Sequence, residues 1–190
     1  SPYNPTEVNF NFTEANAWQY SLFYPQGNLG GELFEQRLNE LFTTNTGTTG
    51  RQQSDITGLI GQYAHGNEPS HNYAYLFNRT TTPWKTQYYV NEIMTSFYHN
   101  APDGLIGNED CGQMSAWYVM SALGLYQVCP GKPEYDFGSA IFDTAVITLE
   151  NNKKIRIITK NKSANSPYLK SVSWNKQLFP SLQIPHATLM

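Results

Sequence analysis

Between residues 31 and 43, Leu33, Phe34, Leu38, Leu41 and Phe42 recur at helical spacing, with Glu35, Arg37 and Glu40 on the outer face, and predict an amphipathic helix. Residues 13 to about 23 read as a shorter helix. Thr13 is its cap, Glu14 lies in its first turn, Trp18 and Leu22 share one stripe, and Pro25 stops it. Gly27 to Gly31 then form a flexible link, and the Thr/Gly run from Thr43 to Gly50 a loop. After Pro83, whose fixed φ suits a first helical turn, Trp84, Tyr88, Asn91, Met94 and Phe97 trace a mostly apolar face down to Tyr98. Ala101-Pro102-Asp103-Gly104 is a turn. A last helix buries Trp117, Val119, Met120 and Leu123 and ends at Gly124, the natural residue for a left-handed C-terminal cap.

Beyond about Pro130 the period changes. Val146–Leu149 and Ile155–Ile158 flank Asn151-Asn152-Lys153, a hairpin signal, and Tyr168–Trp174 is a further strand before a turn at Asn175-Lys176. The last residues, His186 to Met190, read as an interrupted fold. Residues 1–128 are thus expected to be a helical unit and 129–190 an incomplete β-rich segment.

The chain has 190 residues, 39% of them apolar and 14% aromatic, enough for a packed core. Its net charge of −3 comes from 12 basic and 15 acidic residues with no run of either sign, which argues against nucleic acid or an anionic membrane as partner. No apolar run reaches membrane-spanning length. Tyr 13, Phe 10 and Trp 4 supply faces that suit carbohydrate as well as cores. Cys111 and Cys129 match neither a disulfide framework nor a CxxC metal site, and pairing is left open. Asn11, Asn78 and Asn161 each begin a glycosylation acceptor triplet, a motif that often arises by chance. The compartment is not readable from these residues.

Polar chemistry is concentrated in three stretches. The first holds Glu14. In the second, Gly58, Gly61 and Gly66 break any long helix and leave His65, Asn67, Glu68 and His71 on a loop that Pro69 closes by starting the next helix. Carboxylate and carboxamide oxygens there suit calcium better than zinc, and the two histidines lack the spacing of a helical zinc pair. The third is Gly107-Asn108-Glu109-Asp110-Cys111-Gly112-Gln113, which runs straight into the Trp117 helix. Taken alone, Asn108 or Asp110 reads as an N-cap with Gln113 completing a capping box.

Four stretches occur in one order: Thr13-Glu14-Ala15-Asn16-Ala17-Trp18-Gln19-Tyr20, Gly58 to His71, Pro83-Trp84-Lys85-Thr86-Gln87, and Pro102 to Tyr118. Together they resemble the exo-acting α-mannosidases of glycoside hydrolase family 92. The resemblance implies a mainly α chain, part of an (α/α)6 barrel followed by a C-terminal sandwich-like β segment, taken from a longer protein. It implies calcium-dependent, inverting hydrolysis of terminal α-linked mannose, most often α-1,2, in a periplasmic or secreted setting. Glu14 matches the general acid, with Ala15 where the motif elsewhere has glycine. Asp110 matches the general base, and Asn108, where many members have a second aspartate, becomes an orienter of water or metal. His65 and Glu68 match the loop that contacts the leaving sugar, Trp18 is a further substrate contact, and Asn67 with Glu68 are the expected calcium ligands. The partners implied are a mannose-containing glycan and the missing N-terminal portion. Two other readings stand beside it: a non-catalytic carbohydrate-binding fragment, and a structural helical domain in which Glu14, Glu68 and Asp110 are caps.

Overall fold

A computed structural model describes residues 4–8, 11–22, 31–163 and 166–190. They open with a short parallel pair, β1 (Glu7–Val8) against β2 (Thr49–Gly50). Helix α1 is Ala17–Tyr20 and is capped by Asn16 rather than Thr13. The Asn16 side chain accepts from the Gln19 N–H at 3.3 Å, and the Gln19 side chain accepts from the Asn16 N–H at 3.0 Å, a reciprocal box that Thr13 cannot make. Phe23, Pro25 and the link before Gly31 lie outside the described residues.

Helix α2 (Gly31–Thr43) buries Phe34, Leu38, Leu41 and Phe42, leaving Leu33 exposed. A tight hairpin, β3 (Leu59–Ile60) and β4 (Tyr63–Ala64), then turns at Gly61. Gly61 has φ +60°, and a Cβ there would meet the Leu41 carbonyl at 2.4 Å, so only glycine fits. A 3₁₀ turn at Glu68–Ser70, α3 (Tyr73–Leu76), a second 3₁₀ turn at Phe77–Arg79, α4 (Trp84–Phe97) and α5 (Gln113–Ala122) follow.

The main core is aromatic. Phe42 stacks on Tyr89 at 4.1 Å and on Tyr63 at 5.0 Å, and Phe77 meets Tyr89 at 5.4 Å. Each such buried ring contributes about 1.5–3 kcal/mol by leaving water. The buried face of α4 differs from the expected one: Tyr89, Val90, Ile93 and Met94 point inward, while Trp84 and Tyr88 are exposed. The cause is tertiary, since α3 and the Phe77 turn pack on α4 and fix its rotation. Val119 of α5, expected inside, is likewise exposed. Gly124 has φ +78° just past α5 and makes the expected cap.

Strands dominate from there. A three-stranded antiparallel sheet has the order β11 (Gln183–Pro185), β6 (Glu134–Phe137), β5 (Leu125–Tyr126). β7 (Thr144–Thr148) pairs with β8 (Lys154–Ile158), and β9 (Val172–Trp174) with β10 (Gln177–Phe179). The second of these hairpins turns through Asn175 and Lys176, both at positive φ, as a tight two-residue loop requires. His186–Leu189 forms α6 and buries Leu189 beside Leu125, Ile155 and Ile184. Arg79 ties the helical part to β6 through a two-point ion pair with buried Asp136 at 2.7 and 3.0 Å. Asn78 donates to the Phe137 carbonyl and is buried, so its acceptor triplet is a structural amide. Helix accounts for about 31% of the described residues and strand for about 21%, so helices outweigh strands without excluding them.

Candidate active site

The segment before α1 is held from both sides. Tyr20 Oη donates to the Thr13 carbonyl at 3.2 Å, and Asn16 Nδ2 donates to Gln62 Oε1 at 2.8 Å from a buried position. Between these anchors the chain turns sharply, and Glu14 takes left-handed backbone, φ +55°, with its side chain exposed. Glu14 therefore stands outside the helix and is not a partner of the helix dipole. Ala15 is fully buried and is not among the positive-φ residues, so its methyl group imposes no left-handed strain.

Asn67 connects this segment to the second loop. Its Nδ2 donates to the Glu14 carbonyl at 2.6 Å, and its Oδ1 caps the 3₁₀ turn by accepting from the Glu68 N–H at 3.2 Å. Glu68 is exposed and, with Thr13, Glu14, Tyr20, Asn67 and Pro69, lines a cleft of about 350 Å³. His65, by contrast, is fully buried. Its Nδ1 pairs with Tyr63 Oη and its Nε2 with Tyr98 Oη, both at 2.7 Å. Burial first and neighbouring His71 second push its pKa down to about 2, so the ring is neutral. Trp18 is half-buried against the main core, and its indole N–H is enclosed without a hydrogen-bond partner among the described residues.

The third loop is packed directly onto the second. Gly107, φ +73°, approaches Gly66 so closely that a Cβ would sit 3.2 Å from the Gly66 Cα. Asn108 Nδ2 donates to Asp55 Oδ1 at 2.7 Å. Asp110, Cys111 and Gly112 then have φ +49°, +57° and +96° in succession. Such backbone costs energy for residues with a side chain and is typical of functional sites. Capping falls to Glu109, not to Asn108, Asp110 or Gln113: Ser115 donates from N–H to Glu109 Oε1 at 3.0 Å and from Oγ to Oε2 at 2.8 Å. Asp110 is left exposed, with Glu68 beside it. Its pKa is raised, by desolvation first, then by the charge of Glu68, a shared hydrogen bond with Glu68 and the charge of Asp55, while His71 opposes the rise. An unraised value was the expectation from the role of base. The rise comes from desolvation first and from the neighbouring Glu68 and Asp55 carboxyls second.

Glu68 thus belongs to both halves: it lines the cleft with Glu14 and adjoins Asp110. His71, named with the second polar loop, and Asp55, which the sequence did not single out, complete the group. The cysteines are both free and exposed. Among the described residues no three His, Cys, Asp or Glu side chains are grouped to hold a metal ion. The exposed Glu68 and Asp110 carboxylates are oxygen donors of the kind calcium takes, whereas the Asn67 amide is committed to Glu14 and to its own turn.

Residues 1–190 match the glycosyl hydrolase family 92 catalytic domain, and the chain belongs to that family. It is similar to the family GH92 α-mannosidase BT3965 from Bacteroides thetaiotaomicron in complex with mannoimidazole, with TM-score 0.91 and 35% identity over 100% of this chain and 27% of that one. It is also similar to the family GH92 inverting mannosidase BT2199 from the same organism, with TM-score 0.82 and 33% identity over 100% of this chain and 28% of that one. The GH92 glycosyl hydrolase ccman5 shares the fold, with TM-score 0.84 at 18% identity over 100% of this chain and 29% of that one. The chain therefore spans little more than a quarter of these proteins. A search of curated proteins found no match.

Proposed function

We propose that the protein containing this chain is an exo-acting, inverting α-mannosidase that removes non-reducing terminal mannose, α-1,2-linked in the first instance, from glycans. The observation that carries the proposal is a chain of three carboxyls: Glu14 and Glu68 line one cleft and Asp110 adjoins Glu68, while the N-cap of α1 is Asn16 and that of α5 is Gly112. Inversion requires one carboxylic acid to protonate the leaving oxygen and one carboxylate to activate a water on the opposite face of the sugar. In this reading Glu14 delivers the proton and Asp110 accepts one from water. Asn108 cannot accept a proton and orients that water. Glu68, which lines the cleft, meets sugar hydroxyls, and Trp18 is a further sugar contact. The buried His65 supports the leaving-sugar loop through its tyrosine partners.

Calcium would be held in part by Glu68, and would supply positive charge beside the sugar hydroxyls as the ring flattens. The helices of this chain are then the later part of an (α/α)6 barrel, with residues 129–190 in the β region that follows it. The likeness to a mannoimidazole-bound neighbour supports a mannose-type ligand. The cap-only reading loses its basis at Glu14 and Asp110, since Asn16 and Glu109 do the capping.

The test is release of mannose from α-1,2-linked mannobiose by the intact protein, with calcium and with chelator, alongside Glu14→Gln. Calcium-dependent release lost in the variant is expected. Release indifferent to both would exclude the proposal, and binding of the disaccharide without hydrolysis would favour a carbohydrate-binding fragment.

A further inference from the structure

One turn along from each member of the Glu68–Asp110 pair lies a second pair, buried His71 and half-buried Gln113. His71 follows Glu68 by one 3₁₀ turn, with its N–H donating to the Glu68 carbonyl at 3.0 Å. Gln113 follows Asp110 through the left-handed Cys111-Gly112 turn, with its N–H donating to the Asp110 carbonyl at 3.2 Å. The two residues of the second pair meet: Gln113 Nε2 lies 3.3 Å from His71 Nδ1. The roles of these atoms follow from their neighbours. His71 Nε2 is 2.8 Å from the His65 carbonyl, which can only accept, so Nε2 carries the proton of the neutral ring. Nδ1 is then a lone pair, and Gln113 must present its amide N–H to it. A further bond, from Trp117 Nε1 to the His71 carbonyl at 2.9 Å, clamps the same turn from α5.

From this geometry we infer that the His71–Gln113 hydrogen bond is a cross-tie that sets the separation of Glu68 from Asp110, and that both residues are positioning residues for the hydrolytic site. The inference rests on the proposed mannosidase reading for its kinetic consequence, but the tie itself does not. Left to themselves, two neighbouring carboxyls on separate loops would move apart. A bond between residues one turn along from each of them resists this without touching substrate. His71 is almost fully buried and is held by α5, by the His65 carbonyl and by its own turn, so the fixed partner is His71 and the adjustable one is Gln113.

Gln113→Leu and Gln113→Met each remove the donor, and methionine keeps the length of the side chain. In the intact protein both should lower kcat on α-1,2-mannobiose by about ten- to a hundred-fold, with KM within about twofold of the parent. The 15N resonance of His71 Nδ1 should move to that of an unbonded lone pair, and crystal structures of parent and variant should show the Glu68 and Asp110 carboxyls further apart. A role in stability alone would instead lower the unfolding midpoint and leave kcat intact. An unchanged Nδ1 resonance with an unchanged carboxyl separation overturns the tie, whether or not the parent hydrolyses mannobiose. A parent with no hydrolysis but a shifted resonance and separation keeps the tie and removes the mannosidase reading.

Discussion

The carboxamide nitrogen of Asn67 donates to the main-chain carbonyl of Glu14 at 2.6 Å. The residue that precedes one cleft carboxylate therefore holds the backbone of another, and does so while capping its own turn. Asn67→Asp keeps an acceptor for the cap and loses the donor to Glu14. Asn67→Ala loses both. Thermal unfolding should show the alanine variant weaker by about 0.5–2 kcal/mol and the aspartate variant close to the parent. Mannose release should fall in both, by about tenfold or more. Equal stability loss in the two would mean that the Glu14 contact, rather than the cap, carries the energy.

His65 makes the fold sensitive to acid. Its pKa is lowered from 6.5 to about 2, so the unfolded chain takes up a proton that the folded chain refuses. The resulting stability is complete above pH 6.5 and is lost as pH falls toward 2, by up to about 1.4 kcal/mol per pH unit. His71, also lowered by burial, adds a dependence of the same sign. Denaturant unfolding measured between pH 7 and pH 4 should therefore show a declining midpoint, and His65→Gln should flatten the decline. An equally steep decline in the variant would place the acid sensitivity elsewhere.

Asp110 should trade stability for activity. Its raised pKa means that ionising it in the folded chain is disfavoured, a contribution fully favourable only below 3.8 and lost as pH rises. Asp110→Asn should thus raise the unfolding midpoint at neutral pH while lowering kcat by about 10²–10⁴. In the parent, the acidic limb of kcat/KM should lie above 3.8, and Glu68→Gln, by removing a neighbouring charge, should move it down. A limb that stays in place would show that Glu68 does not act on the base.

The Arg79–Asp136 pair is a two-point polar link between the helices and the β-rich part, with Asp136 fully buried. Arg79→Met leaves that carboxylate without its cation. Urea unfolding should register a loss of about 3–5 kcal/mol, and adding Asp136→Leu should recover part of it. A loss below 1 kcal/mol would mean that Asn78 and Gln183, which also donate to Asp136, suffice.

Local signals carried well into the structure where the deciding forces are local. The 31–43 period, the Gly124 cap, the Asn152 hairpin and the turn at Ala101–Gly104 all form as the residues indicate. Glu14, Glu68 and Asp110 were singled out through the family resemblance, and the fold brings Glu14 and Glu68 to one cleft and Asp110 beside Glu68. What could not be read was tertiary. The rotation of α4 is set by the Tyr73–Leu76 helix packing on it. The burial of His65 depends on Tyr98, which is remote in sequence. The capping role passes from Asp110 to Glu109 through a left-handed run that no helical spacing anticipates. Asp55 escaped notice for the same reason, since its partner Asn108 lies on another loop.

The most direct test of the account is the anomeric configuration of the mannose first released from an α-linked substrate, followed by proton NMR in the intact protein and its Asp110→Asn variant. The account predicts β-mannose as the initial product, appearing before mutarotation, with no product on that timescale from the variant. Initial α-mannose, or release that persists undiminished in Asp110→Asn, would contradict the assignment of Glu14 as acid and Asp110 as base.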